Sequence, residues 1–486
     1  MLQNKDITNL SELKTSFVQD NKKSEFFLKF VDVLKLGKLH LVFSKVKQKG
    51  IPSILIIRIL LIFPFISQKN VHGYTKSAWH KFYDFGKDSF YRLKNNSKIN
   101  WRSFHYGVIK LMIQTLNKQN DNTENSIIGV KALIFDDTLL SKTGKNIEGV
   151  SRIWDHVFHR TVLGFQLLVM GFYDGTMFIP INFSLHRSKG KNKKKPFGLK
   201  PKHYKSQYKK KRAANTAGYK RKKELDITKI KSAINMIKSC IKHNVVLAQY
   251  VLTDSWFTCW ELVKTALDNN MHFIGMYSTP KTLFTYLNQE LTYGKIRRLN
   301  TKNIKRNRRY NLYYIRTIVK WNGKKIVLYF TRKGKNGKWR TLLSTDLSLN
   351  FNQTIEIYQI RWTIEVFFKE SKQLLGLGNS QSTNFDTQIA DTTITMVQYI
   401  FLALQNRIER YQSIGQLFKG TKEDIVDLRL HHRLVQLLIA IIELVDGLFM
   451  QVNMDEIMTT IINDDKALSK IVRMINSFDK FHKQVA

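Results

Sequence analysis

The chain has 486 residues and a net charge of +43, from 80 Lys and Arg against 37 Asp and Glu, so it demands a polyanionic partner; nucleic acid is the commonest, an acidic membrane surface the rival. A hydrophobic content of 43% excludes wholesale disorder, and the length implies about two to four domains. The only cysteines, Cys240 and Cys259, exclude a disulfide framework and a cysteine-based zinc site and suit a reducing cytoplasm.

Residues 1–124 are expected to be a helical DNA-binding region. Leu28, Val31, Leu34 and Leu36 recur near helical spacing. The N-terminus lacks the basic-then-apolar order of a signal peptide. The apolar run Ile54–Ile66 is interrupted by Arg58 and Pro64 and falls short of the ~20 residues of a membrane span. Gly86–Ser89 breaks the pattern, and Phe90–Leu93, Asn95–Ser97 and a second helix from Asn100 have the spacing of a helix-turn-helix. Asn117–Ser126 is polar and aperiodic, as a linker would be.

Residues 125–278 change character. Val130–Phe135 predicts a buried strand ending at Asp136-Asp137-Thr138. Thr161–Phe172 and Met177–Leu185 flank Asp174-Gly175, a hairpin signal. Residues 187–223 carry seventeen Lys or Arg and no acid. A solvated loop of this kind orders against phosphate, with Lys193, Lys194, Lys195, Lys209, Lys210, Lys211 and Arg212 as candidate contacts. Tyr204, Tyr208 and Tyr219 interleave with the charges and could pack on sugars or bases. A helix over Asp226–His243, a strand over Val245–Leu252 ending at Thr253-Asp254-Ser255, a helix over Trp256–Leu267 and a strand over His272–Met276 complete the order β-β-β-α-β-α-β, which a ribonuclease-H-like domain requires. Residues 279–343 predict a β-rich insertion, with Asn322-Gly323 turning between Tyr313–Lys320 and Lys325–Phe330. The core resumes over 344–410. A helical region, 411–486, follows as a candidate for dimerisation; its apolar run Leu434–Met450 carries Glu443 and Asp446 and suits a buried helix, and His431-His432-Arg433 suits a polar face. The fold class is thus α/β, a ribonuclease-H-like core with a β-rich insertion between helical flanks.

Asp136 and Asp254 each follow an apolar run expected to be a central strand. Carboxylates at neighbouring strand ends can share hard divalent cations, although Asp-Thr and Asp-Ser are also good caps. On a helix over Gln353–Gln373, Tyr358, Arg361, Glu365 and Lys372 fall within an arc of about 60°. Ile357, Ile360, Ile364, Phe367, Phe368, Leu374 and Leu375 oppose them, so the apolar side packs on the sheet and the polar stripe faces outward. A phenol, a guanidinium, a carboxylate and an ammonium in line suit a phosphate track with one metal ligand. Asp155, His156 and His159 lack a further ligand at metal-site spacing, so a loop is the simpler reading. There is no Gly-rich phosphate loop to support ATP-driven chemistry.

The spacing Tyr358, Arg361, Glu365, Lys372 resembles the Tyr-Arg-Glu-Lys signature of bacterial insertion-sequence transposases of the insertion-sequence-four family. Asp136-Asp137-Thr138, Thr253–Phe257, Ser344–Leu349 and Ile357–Trp362 are similar to that family too. The resemblance covers Asp136 to Lys372 and implies a DDE triad of Asp136, Asp254 and Glu365 as catalytic and metal-ligating residues, with Asp137 the alternative for the first position. It implies two Mg2+ ions, with Mn2+ able to substitute, acting in cut-and-paste transposition through a hairpin end. Arg361 and Lys372 would grip phosphates, Tyr358 would hold the terminal nucleotide, and Trp321 would stack on a flipped base or pack in the core. The implied partners are double-stranded DNA, as terminal inverted repeats and target, and a second copy of the chain in the end-paired complex. The alternatives are a purely hydrolytic nuclease and a non-catalytic DNA-binding descendant of a transposase.

Overall fold

The computed structural model describes residues 39–409, apart from 40–41, 44–45, 48, 66–67, 69, 78–79, 81–84, 121–128 and 157. Leu28, Val31, Leu34, Leu36, linker residues 121–126 and the region 411–486 with its expected dimer contacts lie outside the described residues.

Among the described residues the N-terminal part carries helices α1 (Ser53–Ile62), α2 (Val71–Lys76), α3 (Lys87–Lys94) and α4 (Trp101–Asn120). The expected linker is therefore helical at its start. Buried Ile56, Ile57, Ile59, Leu60 and Leu61 make α1 a core helix, and no helix among the described residues is long and apolar enough to cross a membrane. The turn between α3 and α4 has the chemistry expected of it, with Asn100 Oδ1 accepting from the Ser103 N–H at 3.1 Å. However, α4 is not presented to a groove. Trp101, Phe104, His105, Tyr106, Val108, Ile109 and Met112 are all buried, and Arg102 donates to both carboxylate oxygens of Glu224 at 2.9 and 3.0 Å. A helix buried on most sides is scaffold, and the local spacing of a helix-turn-helix does not reveal that.

The sheet begins with β1 (Ala132–Ser141), β2 (Ser151–Asp155), β3 (Arg160–Tyr173) and β4 (Phe178–His186). β3 lies antiparallel to β1, from Ala132 opposite Tyr173 to Ser141 opposite Gly164. Its far edge is shared by β4 and the unanticipated β2. The Asp-Gly turn forms as expected, with Asp174 Oδ1 accepting from the Thr176 and Met177 amides at 2.8 and 2.9 Å and Gly175 at φ +106°.

The basic segment is folded. It contains α5 (Pro201–Lys205) and α6 (Ala217–Glu224) and buries Leu199, Gln207, Thr216 and Arg221. Arg212 grips Glu148 through two bonds of 2.8 and 2.6 Å and meets Asp386 at 3.0 Å, while Lys210 meets Asp386 at 2.8 Å. The Arg212 side chain is only 3% exposed. Lys210 and Arg212 are thus staples between the segment and the core, which corrects their expected role as phosphate contacts.

Next come α7 (Lys229–Lys242), β5 (Tyr250–Thr253), α8 (Trp260–Leu267) and β6 (His272–Tyr277), with β5 parallel to both β1 and β6. The insertion adds β7 (Leu283–Tyr286), β8 (Gln289–Thr292), α9 (Tyr293–Leu299), β9 (Lys305–Asn307), β10 (Leu312–Trp321), β11 (Lys324–Lys333) and β12 (Arg340–Ser344). β12 pairs antiparallel with β6, so core and insertion share one mixed, twelve-stranded sheet. Asn322 and Gly323 both have positive φ, as a two-residue hairpin turn requires. Trp321 is 6% exposed and packs on Trp260, Tyr277 and Phe284 at 5.3, 5.7 and 5.5 Å. That corrects its candidate role in stacking on a base. The described residues close with α10 (Phe351–Gln359), a tight 3-10 turn over Ile360–Trp362, α11 (Thr363–Leu374) and α12 (Phe385–Glu409).

Removing one member of a buried charge cluster strands its partners and costs about 3–5 kcal/mol. Arg212→Met should lose about that much stability in urea unfolding, whereas Lys211→Met, at an exposed neighbour, should change it by less than about 0.5 kcal/mol. Equal, small effects would mean that Arg212 does not staple the segment.

Candidate active site

Strand pairing alone brings Asp136 and Asp254 together. β5 runs beside β1 until Phe135 faces Thr253, and there the pairing stops. Asp136 and Asp254 are the next residues on adjacent chains, with backbones about 4.8 Å apart. The expected end of β1 at Asp136 is corrected, because β3 keeps the strand paired to Ser141. Asp136 is therefore held within a strand. Asp254 instead leaves its strand and closes a turn, its Oδ1 accepting from the Trp256 and Phe257 amides at 3.0 and 3.1 Å. That turn replaces the helix start expected at Trp256.

Consecutive strand residues face opposite sides of a sheet, which separates Asp136 from Asp137. Asp136 Oδ2 accepts from Arg361 Nη1 at 3.1 Å. Asp137 faces α7, where its Oδ1 accepts from Lys229 Nζ at 2.9 Å and its Oδ2 from Gln166 Nε2. Asp137 thus has its own cation, while Asp136 shares Arg361 with Glu365, whose Oε1 accepts from Nη2 at 2.5 Å.

Burial, together with the charge on Asp254, pushes the Asp136 carboxyl up to about 7 against the pull of Arg361 and the Asp137 amide. Burial also raises Asp254, as does the charge of Asp137. The Tyr358 phenol is pushed up to about 12, chiefly by burial, so it remains a donor at neutral pH. Burial lowers the Lys372 ammonium, which donates to Thr138 Oγ1 at 2.7 Å.

Tyr358 lies on α10, Arg361 in the tight turn and Glu365 and Lys372 on α11, on one face as the spacing suggests, and Ile357, Ile364, Phe367 and Phe368 are buried opposite. Two expectations are corrected. The helix is not continuous, since Thr363 Oγ1 donates to the Ile360 carbonyl at 2.8 Å within the tight turn. The polar stripe does not face outward, because Arg361 and Lys372 reach Asp136 and Thr138 of β1. Helical periodicity identifies a face but not what lies across from it.

Among the described residues, no group of three or more His, Cys, Asp or Glu converges to hold a metal ion. Asp136 and Asp254 nevertheless suit a hard divalent cation. Both offer oxygen donors, both are driven toward the protonated form, and a cation would relieve the repulsion between them. Glu365 is held by Arg361 rather than gathered with the aspartates. Asp155 serves its turn, accepting from the Phe158 amide at 3.3 Å.

Lys193, Lys194, Lys195, Lys209 and Lys211 are exposed. Thr138, Gln166, Lys229 and Trp256 join the site without having been anticipated. Thr138 and Trp256 carried a sequence signal, as the residues two past Asp136 and Asp254 in the motifs that hold them.

Residues 64–299 match a family model described as DDE superfamily endonuclease, a span that includes both aspartates and stops short of Glu365. The match supports a DDE-type nuclease or transposase. No curated protein matches the chain.

A carboxyl raised from 3.8 to about 7 keeps its proton in the folded chain where the unfolded chain has lost it. Across that window stability falls as pH rises. Asp136→Asn should therefore gain stability relative to the wild type from about pH 4 to about pH 7, levelling off above, in urea unfolding with EDTA. A flat difference would show that Asp136 ionises normally.

Proposed function

We propose that the protein is a DNA transposase with a ribonuclease-H-like core, using Asp136, Asp254 and Glu365 to cut DNA and join its ends. The observation that carries this reading is the meeting of Asp136 and Asp254 at the end of the parallel pair β1 and β5, with Arg361 linking Asp136 to Glu365. The strand order β4, β3, β1, β5, β6, with β3 antiparallel to β1, supports the core assignment, and the DDE superfamily match supports the chemistry.

Asp136 and Asp254 would hold Mg2+, with Glu365 completing the set. When bound, the metal makes an attacking hydroxyl available at neutral pH and stabilises the leaving oxygen. Arg361 offers a forked donor to a phosphate, and drawing it there releases Asp136 and Glu365 from their present bonds. Lys372, fixed by Thr138, supplies a second cation further along the strand. Tyr358, protonated across the working range, donates to a terminal phosphate or sugar oxygen. The exposed lysines of the basic segment hold the duplex by its backbone. Cut-and-paste movement through a hairpin end, recognition of terminal inverted repeats and a homodimeric end-paired complex complete the reading. The separation of Glu365 from the aspartates favours a second reading, a descendant that binds DNA without cutting it.

With DNA flanking its own gene and Mg2+, the protein should make discrete cuts at matching inverted repeats, resolved on a denaturing gel. Glu365→Gln should abolish cutting and keep binding. Cutting retained by the variant would remove Glu365 from the triad, and binding without cutting by both proteins would favour the second reading. Replacing Lys193, Lys194, Lys195, Lys209 and Lys211 together with Gln should lower the slope of log affinity against log salt by up to about 4.5. An unchanged slope would mean that the segment does not touch DNA.

A further inference from the structure

Asp136 and Asp254 are held by different means. Asp136 is a residue of β1, paired to β3, and moves only with the sheet. Asp254 stands beyond the last paired residue of β5, in a turn that closes on itself. Its Oδ1 accepts from the Trp256 and Phe257 amides, and its carbonyl accepts from Thr258 Oγ1 at 2.8 Å. The buried Phe257 roots the turn in the core, whereas Trp256 stands at its open side. None of these bonds reaches β1. Two carboxylates that share one ion need a fixed separation, so the turn needs a tie to the strand.

Lys229 supplies one. Its Nζ donates to Oδ1 of Asp137, the residue after Asp136 in β1, at 2.9 Å. The same ammonium lies over the Trp256 ring, 3.8 Å from its centre, and 5.7 Å from that of Phe257. Trp256 in turn donates its amide to Asp254 Oδ1 at 3.0 Å, so restraint of the ring carries to the carboxylate. The base of the tie is firm. Lys229 opens α7, and the chain entering that helix is held to the end of β4. There the Arg187 amide donates to the Leu225 carbonyl at 3.2 Å, and His186 Nδ1 lies 3.0 Å from the Ile227 carbonyl. A cation in a first helical turn opposes the helix dipole. Lys231, in the same turn, is exposed to solvent, but the Lys229 side chain is only 20% exposed. Helix formation does not call for a half-buried ammonium at this position.

We infer that Lys229 is a positioning residue, whose one ammonium fixes the separation of Asp136 and Asp254 from the face of the sheet opposite Arg361. The inference rests on the DNA-cutting reading above and adds to it the residue that sets the spacing of the metal-binding aspartates. Lys229 touches neither metal nor substrate and acts through Asp137 and Trp256. Its charge alone would act in the opposite sense, because a nearby ammonium repels a divalent cation. Weaker metal binding on its removal therefore reports geometry.

The test titrates the full chain with Mn2+ in the absence of DNA and reads the free ion by electron paramagnetic resonance. Lys229→Met combined with Asp137→Asn removes the tie and keeps the net charge, and should weaken Mn2+ binding about tenfold or more. Lys229→Arg, which keeps a cation for both partners, should retain most of the affinity. Urea midpoints of both should stay close to the wild type, since both members of the ion pair are replaced together or the pair is kept. If the double variant is unstable, Trp256→Leu decides. It leaves the ion pair in place and removes the ring, and should weaken Mn2+ binding to a similar degree, with Trp256→Phe close to the wild type. Wild-type or tighter affinity in the folded double variant, or in Trp256→Leu where that decides, overturns the inference and leaves the DNA-cutting reading standing. Wild-type Mn2+ binding that is absent, or is unchanged by Asp254→Asn, overturns the metal-binding aspartates and the inference with them.

Discussion

The structure depends on a repulsion. Two half-buried carboxylates, Asp136 and Asp254, lie side by side because β1 and β5 are parallel and in register at Phe135 and Thr253. Nothing in strand pairing compensates for that charge, and a cation must come from elsewhere. It comes from Arg361 in the tight turn, and α11 and the loop after it are held to β1 along one face of the strand. Asp136 meets Arg361, Thr138 meets Lys372, and Lys142 donates to the Gly378 and Ser380 carbonyls at 2.7 and 2.6 Å. Between them Leu140 lies so close to Gly378 that an added Cβ would sit 3.1 Å from its Cδ2. Alternate residues of a strand share a face, so one face of β1 sets the position of the whole polar stripe. Phe367, against Phe178 and Tyr399, supplies the apolar packing that holds the arrangement.

The excess of basic residues has two uses that composition alone does not separate. Acids are scarce, and several are buried or half-buried: Glu148 and Asp386 hold Arg212, and Glu224 holds Arg102 and Arg221. These pairs make the basic segment a folded body. Lysines beside them, such as Lys209 and Lys211, are left without a buried partner of that kind and face outward. One segment therefore carries both the staples of the core and the charge available to a polyanion.

What could be read from the sequence was local. Apolar runs, Asp-Gly and Asn-Gly turns and the spacing of four polar residues on a helix each depend on neighbours within a few positions, and each forms close to where it was expected. What could not be read was the identity of distant partners. Arg212 finds Glu148 and Asp386 at separations of 64 and 174 residues, and Arg361 finds Asp136 at 225. Trp321, beside its hairpin turn, was open in the sequence to core packing or base stacking, and Trp260 and Tyr277 close over it. The burial of α4 and the inward turn of the polar stripe escaped for the same reason, since periodicity gives a face and not its neighbour. The choice between Asp136 and Asp137 was open in the sequence and rests on strand alternation together with the position of Lys229.

Arg361 gives the site a reciprocity. In the free chain its guanidinium lies where a cation would be needed, bridging Asp136 and Glu365. On the proposed reading, a phosphate that drew Arg361 away would leave these carboxylates uncompensated and so raise their affinity for a divalent ion. An ion bound at the aspartates would weaken the hold on Arg361 and free it for phosphate by the same amount, because coupling between two binding events is symmetric. On the proposed reading, substrate and metal therefore assemble the site together. Asp137, although paired with Lys229, adds its charge to the pressure on both aspartates.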